Sequence, residues 1–260
     1  MAPALGAVLA LGALSACQDM ELRPGARTLR EALKPPTPLE AAQMALDPYD
    51  ADRRYRGTLL LARAGFAKEK LYLDLFEDHA GDPDPAVRAA ALRALAGNAP
   101  PEMAPVLIKA LEDEDAFVRR EAAQGLQRLH HRDAVDPLIE RLDGEQEQDA
   151  QVRAEAARTL GQFPEPRVLQ ALIAALDDPQ LAVDRNAAQS LRTLTGQDFG
   201  VSRAEWARWA GESGRPFAAQ AVYVYPGYER ARRWFEYVPF VPRPVTEAPG
   251  VPRGLALPSS

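Results

Sequence analysis

Apolar side chains recur along the middle of the chain in one repeated frame. Three stretches place an aspartate three residues before a valine and an arginine directly after it: Asp84–Arg88, Asp115–Arg119 and Asp149–Arg153. Ala or Leu follows four and five residues after the valine, and Leu follows eight residues after it. These offsets put the apolar side chains on one face of a helix. The frame therefore predicts one amphipathic helix in each copy.

The frame occurs five times at nearly constant spacing. The valine position falls at residues 53, 87, 118, 152 and 183, although the first copy has an arginine there and the fifth has Gln180 and Asp184 in place of Asp and Arg. A second amphipathic segment lies between consecutive copies, as from Met103 to Leu111. Each copy is thus predicted to be a helical hairpin, and stacked hairpins can bury an apolar face that one hairpin cannot. The predicted hairpins span about 39–65, 67–97, 101–129, 133–161 and 166–195.

The Asp-x-x-Val-Arg start and the Ala-Ala-x-x-Leu continuation resemble HEAT repeats, in particular the short bacterial kind grouped with phycobilisome-lyase repeats. The resemblance covers about residues 39–196 and implies an all-α fold, a right-handed α-solenoid. It also implies that an arginine of one repeat pairs with an aspartate of an adjacent repeat. The residues expected to form this structural ladder are Asp84, Arg88, Asp115, Arg119, Asp149 and Arg153.

The acid pairs Asp82/Asp84 and Asp113/Asp115 raise the question of a metal or acid–base site. They recur just before a helix, where a carboxylate accepts hydrogen bonds from unpaired backbone N–H groups. We interpret them as helix caps. His130 and His131 fall between two predicted helices, and we interpret them as solvated turn residues.

The first 16 residues carry no charged side chain and are followed by Cys17. An apolar run of this length is too short to span a bilayer and is typical of a secretory signal. The stretch Leu14-Ser15-Ala16-Cys17 resembles the bacterial lipobox, whose cysteine is acylated before cleavage. The resemblance implies a lipid anchor on Cys17, on the periplasmic side of the cell envelope, and Gln18 after the cysteine favours the outer over the inner membrane. Against it, no Lys or Arg precedes the apolar stretch, and the alternative is a buried N-terminal helix with a core cysteine.

The end of the chain has a different composition. The stretch Ser202–Glu212 predicts a helix that caps the last repeat. Beyond it, prolines interrupt regular structure and aromatic side chains cluster between Tyr223 and Phe240. Because disordered tails are poor in aromatic residues, we expect this cluster to dock on the repeats, with residues after about 242 loose. The alternative is that the tail presents extended, Pro-rich segments to a partner. The residues expected to form the cap and to dock are Trp206, Trp209, Tyr223, Tyr225, Trp234 and Tyr237.

Composition narrows the class of function. The 260 residues are 47% hydrophobic and carry a net charge of −6, which argues against bulk nucleic-acid binding. One cysteine and three histidines leave little material for a metal or catalytic centre. The chain also lacks the sequence motifs of phosphate loops, serine-hydrolase elbows and zinc proteases. We therefore predict a protein that is not an enzyme and uses no cofactor and no metal.

One pattern remains as a candidate binding surface. Two and six residues after the valine position, the second helix of each hairpin should point away from the core, and Arg and Gln recur there. In HEAT arrays the second helices usually line the concave face, so these side chains would form a mildly basic groove for a protein or peptide with acidic groups. The alternative is an ordinary solvated helix face. The groove residues are Arg93, Arg120, Gln124, Arg158, Arg185 and Gln189.

Together these patterns predict a membrane-tethered, non-enzymatic scaffold or adaptor in the bacterial cell envelope, with an unidentified protein or peptide as partner and no nucleic acid. One alternative is a bilin-lyase-like or other modifying enzyme, suggested by repeat kinship alone. Another is a purely structural periplasmic spacer. The predicted parts are a signal peptide at 1–16, a flexible tether at 17–38, the solenoid at 39–196, a Trp-containing capping helix at 197–216 and an aromatic, Pro-rich tail at 217–260.

Overall fold

The repeats form an α-solenoid of stacked helical hairpins. The structure, a computed structural model, describes residues 36–227, 231 and 246–256. Within this part of the chain eleven α-helices form five hairpins and one terminal helix. The signal segment, Cys17, Trp234 and Tyr237 lie outside the described residues. The helices are α1 (Pro38–Ala45), α2 (Ala51–Ala62), α3 (Lys70–His79), α4 (Pro85–Asn98), α5 (Ala104–Ala110), α6 (Ala116–Gly125), α7 (Val135–Leu142), α8 (Ala150–Leu160), α9 (Pro166–Ala174), α10 (Leu181–Thr195) and α11 (Arg203–Glu212).

The even-numbered helices α2 to α10 are the second helices of the hairpins, and each packs against the next along the array. All four valines of the repeated frame, and the leucines eight residues after them, are fully buried. The predicted α-solenoid and its hairpins are therefore confirmed. The buried residues of the frame are Val87, Val118, Val152, Val183, Leu95, Leu126, Leu160 and Leu191.

Small side chains let these helices approach closely. Helix α4 buries a run of alanines, Ala89 to Ala91, and Ala94. In the first hairpin the approach is closer still, because a Cβ atom at Gly57 of α2 would lie 2.2 Å from the backbone nitrogen of Ala45 in α1. The first hairpin therefore requires glycine at this position.

Polar side chains also join neighbouring second helices through backbone groups. Five side chains donate to carbonyl groups of the preceding second helix or its end, at 2.8 to 3.0 Å. These bonds satisfy polar groups inside the stack and add to the apolar contacts. The pairs are Asn98 with Ala62, Thr159 with Ala123, Gln162 with Leu126, Asn186 with Ala154 and Ser190 with Ala157.

The capping aspartates begin the second helices. Asp84 accepts hydrogen bonds from the backbone N–H groups of Ala86 and Val87, at 2.8 and 3.3 Å. Asp50, Asp115 and Asp149 cap α2, α6 and α8 in the same way. In the fifth hairpin Gln180 stands at this position and its side chain makes no capping hydrogen bond.

A ladder of ion pairs joins consecutive repeats. The arginine after each valine position reaches the loop of the next hairpin, where two of its N–H groups donate to the two oxygens of one carboxylate. Arg88, for example, donates to Asp113 at 2.8 and 2.7 Å, and its third nitrogen donates to the carbonyl group of Asp82 at 3.0 Å. The rungs are Arg54–Asp82, Arg88–Asp113, Arg119–Glu147 and Arg153–Asp178.

The acid that receives the arginine is not the capping aspartate. It lies two residues earlier, and it also accepts the backbone N–H of the capping residue, as Asp113 does from Asp115 at 2.9 Å. The sequence-based ladder of Asp84, Asp115 and Asp149 therefore needs correction, because these three carboxylates are occupied by helix N–H groups. Sequence reasoning also missed the rung Arg54–Asp82 and the glutamate of the third rung.

The last hairpin is closed by α11 and the loop before it. Trp206 is fully buried, and its indole N–H donates to the carbonyl group of Gly200 at 2.9 Å. Phe199 packs edge-on against Trp206, with 4.9 Å between the ring centroids, and the ring of Trp209 lies about 6 Å from both of them. These aromatic rings cover the apolar end of the array.

Loss of a ladder arginine is expected to destabilise the array strongly. Both side chains of the Arg153–Asp178 pair are 7% exposed, so Arg153→Ala leaves a carboxylate without its counter-charge in a poorly solvated place. We expect a loss of about 3 kcal/mol in the free energy of unfolding, measured by urea denaturation followed by circular dichroism.

The matched control is Arg167→Ala. Arg167 pairs with Asp136 and Glu165, but its side chain is 45% exposed, so we expect little change in the free energy of unfolding. Equal effects of the two substitutions would contradict a structural role for the ladder.

Candidate functional site

Two of the predicted groove residues connect neighbouring second helices. Arg93 on α4 donates to both carboxylate oxygens of Glu121 on α6, at 3.1 and 2.7 Å, and Glu121 is buried. Arg158 on α8 donates to the side-chain oxygen of Asn186 on α10 at 3.0 Å. Arg93 and Arg158 were predicted to line a binding groove. They instead bond side chains of the next second helix, because they lie on the side of their own helix that faces it.

The other groove residues lie nearer solvent. Arg120 is half-buried, with its guanidinium 4.9 Å above the ring of Phe117, and Arg185 is exposed. Gln189 accepts a hydrogen bond from Arg192 at 2.9 Å. Gln124 is half-buried, and its backbone carbonyl group accepts a hydrogen bond from Arg128 at 3.1 Å.

The tail crosses the array beside this surface. Its path starts at α10, where the backbone N–H of Ala221 donates to the carbonyl group of Thr193 at 2.8 Å. Tyr223 follows and is 5% exposed. Burial raises the pKa of its phenol, and the charges of Arg158, Glu155 and Arg128 act on it. The buried Tyr223 hydroxyl has no hydrogen-bond partner among the described residues.

Tyr225 brings the tail to the end of α6. Its ring stacks on the guanidinium of Arg128, which lies 5.1 Å from the ring centroid. Its backbone pairs with that of Gly250 through two hydrogen bonds, of 2.9 and 3.3 Å. The two described tail segments, 219–227 and 246–256, therefore meet at this point of the array.

The segment 246–256 is held by two charged side chains. Glu247 accepts two hydrogen bonds from the guanidinium of Arg128, one of them at 2.6 Å. Arg253 donates to the carbonyl groups of Ala96, Gly97 and Ala99 at the end of α4, at 3.0 Å in the case of Ala99.

The backbone of Arg253 is also paired with the array. Its N–H donates to the carbonyl group of Arg128, and its carbonyl group accepts from the N–H of His130, both at 2.8 Å. The expectation that residues after about 242 are loose is therefore wrong for 246–256. The segment is docked because Glu247 meets the positive charge of Arg128, and Arg253 meets the carbonyl groups at the negative end of α4.

The histidines are engaged in the fold. His130 stacks on Phe163 at 4.8 Å and bonds Gln162 at 3.0 Å through Nδ1, so the interpretation of His130 as a solvated turn residue is wrong. His79 is buried and bonds the hydroxyl of Thr58 at 2.8 Å. Burial lowers the pKa of both imidazoles.

The ladder ends at Asp184, which stands where the other repeats have arginine. One of its carboxylate oxygens is buried and has no hydrogen-bond partner among the described residues. Burial, together with the nearby carboxylates of Asp178 and Asp177, raises the pKa of Asp184. In the other hairpins the arginine at this position forms a rung with the next repeat. The fifth hairpin has an acid there, so it cannot form such a rung.

Residues 36–227, 231 and 246–256 contain neither a cluster of metal ligands nor a membrane-spanning helix. No three His, Cys, Asp or Glu side chains are placed so that they could share a metal ion. Likewise, no helix in this part of the chain has the length and apolar character needed to cross a membrane.

Comparisons with known proteins agree on the repeats. A family model described as HEAT repeats matches residues 73–150 and 145–199, which together make up just under half of the chain. No curated protein sequence matches the chain significantly. Residues 73–199 are therefore similar to HEAT repeats.

The chain is also similar to several solved structures. The YibA protein of Escherichia coli is 22% identical over 68% of both chains, with a TM-score of 0.49. The complex of CpcE and CpcF of phycocyanin lyase from Nostoc is 23% identical over 66% of this chain and 80% of that chain, with a TM-score of 0.42. A designed armadillo repeat protein in complex with the peptide (KR)4 is 19% identical over 67% and 87%, with a TM-score of 0.48.

Removal of the charge of Asp184 is expected to stabilise the protein at neutral pH. Since the folded-state pKa is raised, ionisation of Asp184 is less favourable in the folded than in the unfolded chain, and this cost is present above the ordinary pKa. We expect Asp184→Asn to raise the free energy of unfolding by about 1 kcal/mol at pH 7.

The gain should disappear below about pH 3, where Asp184 is protonated in both states. Urea denaturation at several pH values measures it. Asp198→Asn is the control with the opposite sign, because Arg192 lowers the pKa of Asp198. A gain that is independent of pH would contradict this account.

Proposed function

We propose that this HEAT-repeat protein is a non-enzymatic scaffold that binds a protein partner while lipid on Cys17 holds it at a membrane of the bacterial cell envelope. The observation that carries the proposal is the docked tail. A scaffold must hold polypeptide in a defined way, and this array holds an extended segment through backbone hydrogen bonds, an ion pair and a helix end.

The use of the charged side chains supports a binding role. The buried charged side chains Arg88, Arg153 and Glu147 are committed to rungs between repeats, and His79 and His130 bond Thr58 and Gln162. A general base or nucleophile needs a side chain that is accessible to a substrate. A role without catalysis agrees with this arrangement.

The anchor is proposed from the sequence alone. The lipobox-like stretch ends at Cys17, and about 20 residues separate this cysteine from α1. A flexible tether of that length has an r.m.s. reach of about 25 Å. Anchoring would keep the partner close to the membrane by raising its local concentration. Gln18 favours the outer membrane as the site of attachment.

Charge reversal on the second helices tests partner binding. The intact lipoprotein, crosslinked in cells and purified from membranes, should carry a defined protein partner. Arg120→Glu combined with Arg185→Glu should reduce recovery of that partner about tenfold, since both changes replace positive by negative charge on the second helices, where Arg185 is exposed and Arg120 is half-buried.

Arg208→Glu on α11 is the matched control, because Arg208 is exposed but lies outside the second helices. It should leave recovery unchanged. If the amount of partner recovered is the same with all three substitutions as with the unsubstituted chain, binding through this surface is contradicted.

Substitution of the cysteine tests the anchor. Cys17→Ala should abolish incorporation of a labelled fatty acid and release the protein from membranes, because the thiol is the site of acylation. Ser15→Ala keeps a small residue two positions before Cys17 and should leave the label in place. Continued labelling of Cys17→Ala would contradict the lipoprotein prediction.

A further inference from the structure

We propose that the slot filled by residues 246–256 is a peptide-binding site that the chain occupies with its own tail. Its external ligand would be an extended segment of a partner protein that carries a carboxylate and, six residues later, an arginine. The inference rests on the proposed scaffold function and specifies where and how the partner binds.

The first part of the slot binds an anion. Arg128 is a half-buried arginine with a side chain 14% exposed, and the carboxylate that pairs with it comes from Glu247 of the tail. Within the array it donates to the carbonyl group of Gln124, which carries no full charge. The ladder arginines, in contrast, receive their carboxylates from the repeats themselves. Among the described residues, the carboxylate that accepts hydrogen bonds from Arg128 is the one that the extended segment supplies, so Arg128 acts as a recognition group for such a segment.

The second part of the slot binds a cation. The last carbonyl groups of a helix have no partner within the helix, and the helix dipole makes this end negative. At the end of α4 the carbonyl groups of Ala96, Gly97 and Ala99 converge on the guanidinium of Arg253. Several carbonyl groups around one planar guanidinium favour arginine over lysine at this position of the ligand.

Backbone pairing fixes the position of the ligand between these two parts. On one side Gly250 pairs with Tyr225, and on the other Arg253 pairs with Arg128 and His130. These bonds supply affinity without regard to side chains, while the charged residues determine the register, as in other modes of strand addition.

Glycine is required after the arginine. Gly254 has φ of +87°, and a Cβ atom there would lie 2.9 Å from the carbonyl oxygen of His130. The motif expected in a ligand is therefore a carboxylate, a spacer of five residues, an arginine and a glycine, as in Glu247, Arg253 and Gly254 of the tail.

Occupation by the tail makes the site regulated. A segment on the same chain is present at an effective concentration of the order of 1 mM. An external segment must compete with it, so the intact chain binds its partner weakly until the tail leaves. Changes in the tail that remove Glu247 and Arg253 should open the site and leave the array unchanged.

The test uses the full chain and a fluorescein-labelled peptide of residues 246–256, titrated by fluorescence anisotropy. The opened variant Glu247→Ala/Arg253→Ala should bind the peptide about tenfold more tightly than the unsubstituted chain, because its own tail competes less. Addition of Arg128→Ala to the opened variant should remove that gain. A peptide with both charged residues replaced by alanine should not bind the opened variant.

The substitutions in the tail lie outside the core, and thermal unfolding followed by circular dichroism checks that each variant is folded. Arg128→Lys is a second receptor variant that keeps the charge but loses the two-point contact, and it should bind with intermediate affinity. Binding that does not increase in the opened variant, or that persists with Arg128→Ala, would overturn the inference. This assay contains no cellular partner, so such a result would not contradict the scaffold proposal, which the crosslinking experiment tests separately.

Discussion

The arginine–carboxylate rung between successive repeats is the interaction on which the rest of the structure depends. A hairpin of this size exposes an apolar face that is buried only when a neighbour stacks in the correct register. The arginine of each second helix determines that register, because it must meet one carboxylate and one backbone carbonyl group in defined loops. A slipped stack would leave buried charges without partners, and this is far more costly than a poor apolar contact.

Much of the fold could be predicted from periodicity. The spacing of Val87, Val118, Val152 and Val183 located the second helices and the core because helix burial follows a fixed angular period. The partners of the ladder arginines could not be predicted in this way. They lie 25 or 28 residues downstream, in loops, and the acceptor is an aspartate in three rungs and a glutamate in the other. The first rung was missed because Arg53, beside the ladder residue Arg54, occupies the valine position of the frame.

The candidate site was less visible in the sequence for a related reason. Aromatic density correctly indicated that Tyr223 is buried, since large apolar rings are seldom left in water. Proline and glycine, however, made the segment of Glu247 and Arg253 look like a loose end. Its docking depends on the end of α4 and on Arg128, which come together only after the hairpins have stacked. Complementarity between segments more than 100 residues apart is a property of the folded surface and has no local pattern.

The ladder ends with an acid at the position where a further rung would need an arginine. The described part of the ladder begins with Asp47, which lies three residues before the capping Asp50 and pairs with the exposed Arg53, and it ends with Asp184. Each rung runs from an arginine to the acid of the following repeat, so an arginine at the last position would be complementary to the first hairpin of a second molecule. Contacts of that head-to-tail kind do not close on themselves and extend into filaments. With Asp184 in place of that arginine, the last position of the described ladder cannot form such a rung with a second molecule.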